Sequence, residues 1–135
     1  MRLDTNLRER GCVMPTAEDD DRFTVEVRPV EGAIVLALAG ELDHDTAEPL
    51  RAALASARAD GGQRLLVDFS RLEFCDSTGL NVLLHNRLAV HESGGSLELI
   101  GLRQPVKHMF HITGADGLFP LHADVEAALA GHRRA

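Results

Sequence analysis

Short strand-like runs alternating with stretches of helical periodicity restrict this chain to one class of fold. Ile34 to Ala39 and Leu65 to Phe69 are rich in Leu, Val and Ala, and Leu97 to Ile100 is another short strand. Runs of that kind suit strands buried on both faces, which is how strands of a parallel sheet sit. The intervening segments carry apolar residues three and four apart, so each reads as a crossover helix. Strands alternating with helices imply a largely parallel sheet with right-handed connections.

The boundaries follow from the punctuation. Phe23, Val25 and Val27 alternate with Thr24, Glu26 and Arg28, the period-2 mark of a half-buried strand. Pro29 and Gly32 turn the chain into the run that ends at Gly40, making a hairpin. A helix starts at Asp45 and Thr46; with Thr46 as N-cap, Pro49 falls at the third helical position, where a missing N–H is harmless. Leu50, Leu54 and Ala57 form its apolar stripe, and Gly61-Gly62 stops it. Asp76 to Gly94 reads as a second helix, with Leu80, Leu83, Leu84 and Leu88 on one face. A third opens at Pro105, places Val106, Met109, Phe110 and Thr113 together, and closes at Gly114. Leu118 to Leu121 is a last short strand, and Asp124 caps a final helix with Val125, Ala128 and Leu129. The expected fold is α/β: a mixed, mostly parallel sheet of about five strands flanked by about four helices.

At 135 residues the chain fits a single domain. Aromatics make up 4% of it, so the core must be aliphatic with a few Phe. Residues 1–22 are polar, lack periodicity and include the acidic run Glu18-Asp19-Asp20-Asp21; they read as a disordered leader ahead of a domain spanning 23–135. Met14 is a second candidate start. The N-terminus lacks the apolar core of a signal peptide, and no apolar run approaches the ~18 residues of a membrane span. The expected compartment is the cytoplasm. Cys12 and Cys75 form no metal-type pair, in keeping with reduced thiols. Fourteen basic against 21 acidic residues give a net charge of −7. That disfavours nucleic acid and anionic membranes as partners and is compatible with a basic protein.

Chemistry-bearing residues concentrate in Asp68-Phe69-Ser70-Arg71-Leu72-Glu73-Phe74-Cys75-Asp76-Ser77-Thr78-Gly79-Leu80. This stretch is expected to leave a buried strand, cross a loop and enter a helix, where open α/β sheets gather their sites. Ser77 suits a helix N-cap. Its hydroxyl also stands at the positive end of a helix dipole, where an added phosphate would not disturb the fold. Gly79 removes a side chain beside that hydroxyl. Composition alone does not choose between a capping and a signalling serine.

Other constellations have structural readings. His44 between Asp43 and Asp45 reads as a cap and turn, and His108 with His111 lacks a third ligand, so no metal site is expected. Ser77 and His85 would lie two turns apart on one helix without a nucleophile elbow, which argues against a hydrolase triad, and no enzymatic activity is expected. Cys75 reads as a small buried apolar filler. No Walker-type phosphate loop or other cofactor motif is present.

Gly40-Glu41-Leu42-Asp43, Val67-Asp68-Phe69-Ser70 and Asp76-Ser77-Thr78-Gly79-Leu80 occur in that order. Pro105-Val106-Lys107-His108-Met109-Phe110 follows, with Thr113-Gly114 and Leu118-Phe119. From about Phe23 to Leu129 the chain resembles the STAS domain family. More narrowly, it resembles the bacterial anti-sigma-factor antagonists of the sporulation and general-stress type. The resemblance implies a partner switch. The unphosphorylated antagonist binds an anti-sigma factor that is also a serine kinase, freeing the sigma factor. Phosphorylation of the serine in the Asp-Ser motif, here Ser77, dissociates the complex, and a serine phosphatase resets it. Carried over, Asp76 orients the loop, Thr78, Gly79 and Leu80 belong to the docking surface, and Asp43 lies beside it. Asp68 instead satisfies backbone N–H groups. Thr78 stands where a second Ser is common in the family. A monomer is expected when free. A STAS scaffold in a stressosome-like or lipid-transport assembly is the alternative, and a nucleotide-binding module a third.

Overall fold

The structure, a computed structural model, describes residues 22–59 and 64–134. The expected leader, Cys12, Met14 and the Gly61-Gly62 stop lie outside these residues, Arg22 excepted. Strand β1 (Phe23–Val30) folds back antiparallel on β2 (Ala33–Leu42). Helix α1 (Ala47–Ala59) leads to β3 (Arg64–Cys75), α2 (Ser77–Glu92) to β4 (Ser96–Ile100), and α3 (Gln104–Ile112) to β5 (Leu121–His122). A 3₁₀ turn (Ala115–Gly117) precedes β5, and α4 (Val125–Arg134) follows it. Among the described residues the sheet has five strands in sequential order, with β2 through β5 parallel.

Strand alternation splits the core into two layers. Leu36, Leu38, Leu65, Val67, Leu97 and Leu99 point to one face, where α1, α2 and α3 cover them with Leu50, Leu54, Leu83, Val106 and Phe110. Ala33, Val35, Leu66 and Ile100 point to the other, with Val30 beside them, and among the described helices α4 meets them there, through Ala128 and the flanking Val125 and Leu129. The aliphatic core contains a small aromatic group: Phe110 stands edge-on to Phe69, ring centres 6.0 Å apart, and tilted against Phe119 at 6.2 Å.

The second face also buries charge. Glu98 accepts from Arg64 Nε and Nη2 at 2.8 and 2.9 Å, from the Ser96 hydroxyl at 2.7 Å and from His122 Nε2 at 2.8 Å. Arg64 Nη2 also donates to the Ala128 carbonyl at 2.6 Å, tying α4 to the sheet. Burial would raise the Glu98 carboxyl. The hydrogen bonds from Arg64, Ser96 and His122, with the Arg64 charge, overcome that and hold it at about 2.

The expectations at Leu88, Thr113 and Leu118 need correction. Leu88, placed on the inner face of α2, is 57% exposed, because Val82, Leu83, Asn86 and Val90 already fill that face. Asn86 satisfies its buried amide by donating to the Val82 carbonyl at 2.8 Å. Thr113 is exposed and terminates α3, its hydroxyl donating back to the Met109 carbonyl at 2.9 Å. The strand expected over Leu118 to Leu121 begins only at Leu121: Leu118 caps the 3₁₀ turn, and Phe119 and Pro120 connect it to the strand.

Candidate functional site

The parallel strands β2 and β3 end side by side, with Leu42 and Cys75 as register partners. The Asp76 N–H donates to the Leu42 carbonyl at 3.1 Å, so the β2–α1 and β3–α2 connections leave from one point. The loop expected after Phe69 is strand instead: β3 continues to Cys75. It does so through two register shifts, between Ala37 and Ala39 and between Gly40 and Glu41 on the partner strand, each adding one residue to β3. Such bulges bend a strand and re-aim its end. They also interrupt the alternation, which is why Ser70, Arg71 and Glu73 resemble a loop in sequence. Gly40, at the second shift, has φ +97°, and a Cβ there would run into the Arg22 carbonyl. Only glycine meets both demands.

One residue, Asp76, separates this strand from α2, and it takes the cap. Its backbone is extended (φ −102°, ψ −171°), and Oδ1 accepts from the Thr78 N–H at 2.9 Å and the Gly79 N–H at 3.4 Å. Ser77 is therefore the first helical residue and not the N-cap. Asp caps as well as Ser does, and it lies one position closer to the strand end. The Ser77 side chain is exposed on the first turn of α2, over the positive end of the helix dipole.

The glycine two residues on has a different purpose from the one expected. Gly79 is buried, and a Cβ there would sit 2.7 Å from Leu42 Cδ2 and 2.8 Å from Cys75 Sγ. It lets α2 close onto the ends of β2 and β3 and leaves no opening for an approaching protein. Leu80 is only 5% exposed and belongs to the core. Neither residue offers a side chain to a partner; both fix where Ser77 and the half-buried Thr78 stand. Gly79→Ala is expected to destabilise the domain by about 1–3 kcal/mol through overpacking, measured by urea denaturation.

Asp43 organises the neighbouring connection. Its Oδ1 accepts from the Asp45 and Thr46 N–H groups at 2.9 and 3.2 Å, and its own N–H donates to the Thr46 hydroxyl at 2.9 Å. That closed turn opens α1. Arg22 pairs with Asp43 Oδ2 at 2.5 Å and lies within 4.0 Å of Glu41 and Asp45. Desolvation opposes, but these hydrogen bonds and the Arg22 charge lower the Asp43 carboxyl below its usual range. Glu41 is the register partner of Phe74, whose ring is 49% exposed at the end of β3. Sequence reasoning missed Arg22, assigned to the leader, and Phe74, which a strand pattern cut off at Phe69 could not reach.

Cys75 is buried beneath this surface, as expected of a filler. Burial, then the adjacent Asp76 charge, push its thiol up to about 12. Iodoacetamide should leave Cys75 unmodified in the native protein and alkylate it only after unfolding, read by peptide mass. Asp68 accepts from the Ser70 N–H at 2.9 Å, a local backbone bond. His44 is exposed on the β2–α1 turn, His85 is exposed on α2, and His111 Nδ1 lies 3.0 Å from Asp116. Among the described residues no three His, Cys, Asp or Glu side chains gather as a metal ion requires. No described helix is long and apolar enough to cross a membrane.

Comparison with known proteins places this geometry. The model of a family described as "Mlab, STAS domain" matches residues 25–122. The chain is 32% identical over 106 residues to the putative anti-sigma factor antagonist BtrV of Bordetella bronchiseptica, covering 78% of this chain and 91% of that one. An anti-sigma factor antagonist from Mycobacterium paratuberculosis superposes with a TM-score of 0.72 at 32% identity, covering 84% of this chain and 96% of that one. The antagonist SpoIIAA in its unphosphorylated form gives 0.72 at 26% identity over 83% of this chain and 98% of its own. The phosphorylated form of Bacillus SpoIIAA gives 0.65 at 26%, over 79% and 97%.

Proposed function

The chain belongs to the STAS domain family, among its anti-sigma factor antagonists, and from that premise we propose that Ser77 is the phosphoacceptor of a partner switch. Unphosphorylated, the protein binds an anti-sigma factor that is itself a serine kinase, and the sigma factor goes free. The kinase moves the γ-phosphoryl group of ATP onto Ser77 Oγ; the hydroxyl proton and ADP leave, and the complex dissociates. A serine phosphatase hydrolyses the ester and returns inorganic phosphate. The antagonist catalyses nothing itself, acting in the cytoplasm as a free monomer between encounters.

The observation that carries this reading is the division of labour at the start of α2. Asp76 takes the capping bonds, so the exposed Ser77 hydroxyl is free of structural duty where a helix best accommodates a dianion. SpoIIAA, 26% identical, has solved structures in both forms. The surrounding carboxylates, Asp43 and Asp76 first, make a second negative group there unwelcome to any protein packed against them. In this reading Asp43, Asp76 and Thr78 touch the partner, while Gly79 and Leu80 hold them in place.

Intact-mass spectrometry after incubation with candidate kinase-type anti-sigma factors and Mg-ATP tests it. Wild type should gain one phosphate and Ser77→Ala none. Transfer to both proteins would move the site to Thr78. Stable binding with no transfer to either would overturn the role of Ser77.

A further inference from the structure

Although the chain carries a net charge of −7, one groove on it is basic. It runs between α1 and α2, holds about 400 Å³, and is lined by Arg51, Ala55 and Arg58 from α1 and by Asn81, Val82, His85 and Asn86 from α2. It opens about one helical turn below Ser77. Arg51 bonds Glu48 at 2.9 Å on the exposed rim, while Arg58 and His85 are exposed. The charged side chains in this lining are both guanidiniums, with no carboxylate among them, so it fits an anionic, extended segment.

Such a segment is attached to the molecule. Glu18-Asp19-Asp20-Asp21 places four carboxylates directly before Arg22, and the leader's own basic residues all lie at or before Arg10. Arg22, to which the run is joined in sequence, is held by Asp43 and Asp45 at the turn that opens α1, the end at which both helices begin. Arg51 stands about 6 Å and Arg58 about 17 Å along α1 from Ala47, at 1.5 Å per residue. Four extended residues span about 13 Å, and the Arg and Glu side chains close the remainder. We propose that the acidic run Glu18–Asp21 docks into the groove between α1 and α2, with Arg51 and Arg58 as its counter-charges. Exposed ion pairs are individually weak, but a tethered ligand arrives at millimolar effective concentration. Salt should release it, because such pairs are screened beyond ~8 Å at physiological ionic strength.

The test uses the full chain with a nitroxide on Cys12; Cys75 is buried and does not react. In ¹⁵N-resolved spectra the label should broaden the amides of Ala55, Arg58, Asn81 and His85 and spare those of β4 and α4. Arg51→Glu with Arg58→Glu should restore their intensity in a protein whose spectrum remains dispersed. Adding Asp19→Lys, Asp20→Lys and Asp21→Lys to that variant should bring the broadening back. Sharp groove signals in the wild type, or broadening untouched by the charge reversal, would overturn the proposal. Groove signals that shift with inorganic phosphate while the label leaves them sharp would assign the groove to an outside anion, and would overturn it as well. Ser77 phosphorylation enters none of these outcomes.

Discussion

Glu98→Ala is expected to destabilise the domain by about 3–5 kcal/mol, because it strands the buried Arg64 charge. Glu98 and Arg64 side chains are 8% and 11% exposed, so water cannot replace the lost partner. Arg64 already has a buried Nη1 without a hydrogen-bond partner among the described residues, so it has no reserve. Arg64 also binds the Ala128 carbonyl, so α4 should loosen along with it. Urea denaturation gives the magnitude, and faster amide exchange in α4 gives the place. Arg64→Met combined with Glu98→Leu should recover most of the loss, since swapping a whole buried pair for apolar residues is often neutral. Both halves of that result are needed. If Glu98→Ala falls within 1 kcal/mol of wild type, Arg64 is not held as described.

The same carboxylate gives a pH dependence whose sign is fixed. Its folded value of about 2 lies below its ordinary 4.5, so its contribution is fully present above about 4.5. It is lost as pH falls from there toward about 2. Wild type should therefore lose stability through that window more steeply than Glu98→Ala, whose curve lacks this group.

The second large effect concerns binding. Phosphorylation of Ser77 should weaken the complex with its anti-sigma factor more than a hundredfold, equivalent to ~3 kcal/mol. The added charge of about −1.5 to −2 enters a surface holding Glu41, Asp43, Asp45 and Asp76 against Arg22. Burying that excess against a partner adds repulsion and desolvation together. The free protein should barely notice, because the phosphate sits at the favourable pole of α2. Isothermal titration of the unphosphorylated, phosphorylated and Ser77→Ala proteins separates the two claims. Ser77→Ala should bind like wild type, and melting temperatures of all three should agree within a few degrees. Equal affinity of the phosphorylated and unphosphorylated forms would sink the switch.

How much of this was legible in the chain depends on whether one period held. The apolar runs around Leu36, Val67 and Leu99 and the stripes of Leu50, Leu54 and Phe110 follow a single period, so the mostly parallel sheet and its helices could be read directly. Legibility ended where geometry changed within an element. Two bulges carry β3 on from Phe69 to Cys75 through polar residues, and nothing local distinguishes that from a loop. Ser77 reads as the cap in the sequence, but Asp76, one residue nearer the strand end, takes that place in the structure. The Glu98 cluster was hidden for a different reason. Glu98 lies between Leu97 and Leu99, which marked it as facing the opposite layer, but Arg64 and His122 come from distant strands. That α4 covers them is a matter of tertiary arrangement.

The two-layered core also orders events on the ribosome. Ala33, Val35, Leu66 and Ile100 are synthesised before Val125, Ala128 and Leu129, the helical residues that cover them among the described residues. A nascent chain with every strand in place still shows solvent an aliphatic sheet face, and Arg64 keeps Glu98 but lacks the Ala128 carbonyl. Domains fold as units, and half-covered sheets are the species that aggregate. Until the last described helix docks, that face stays open to solvent, so a chain stalled ahead of it exposes the apolar surface on which aggregation starts.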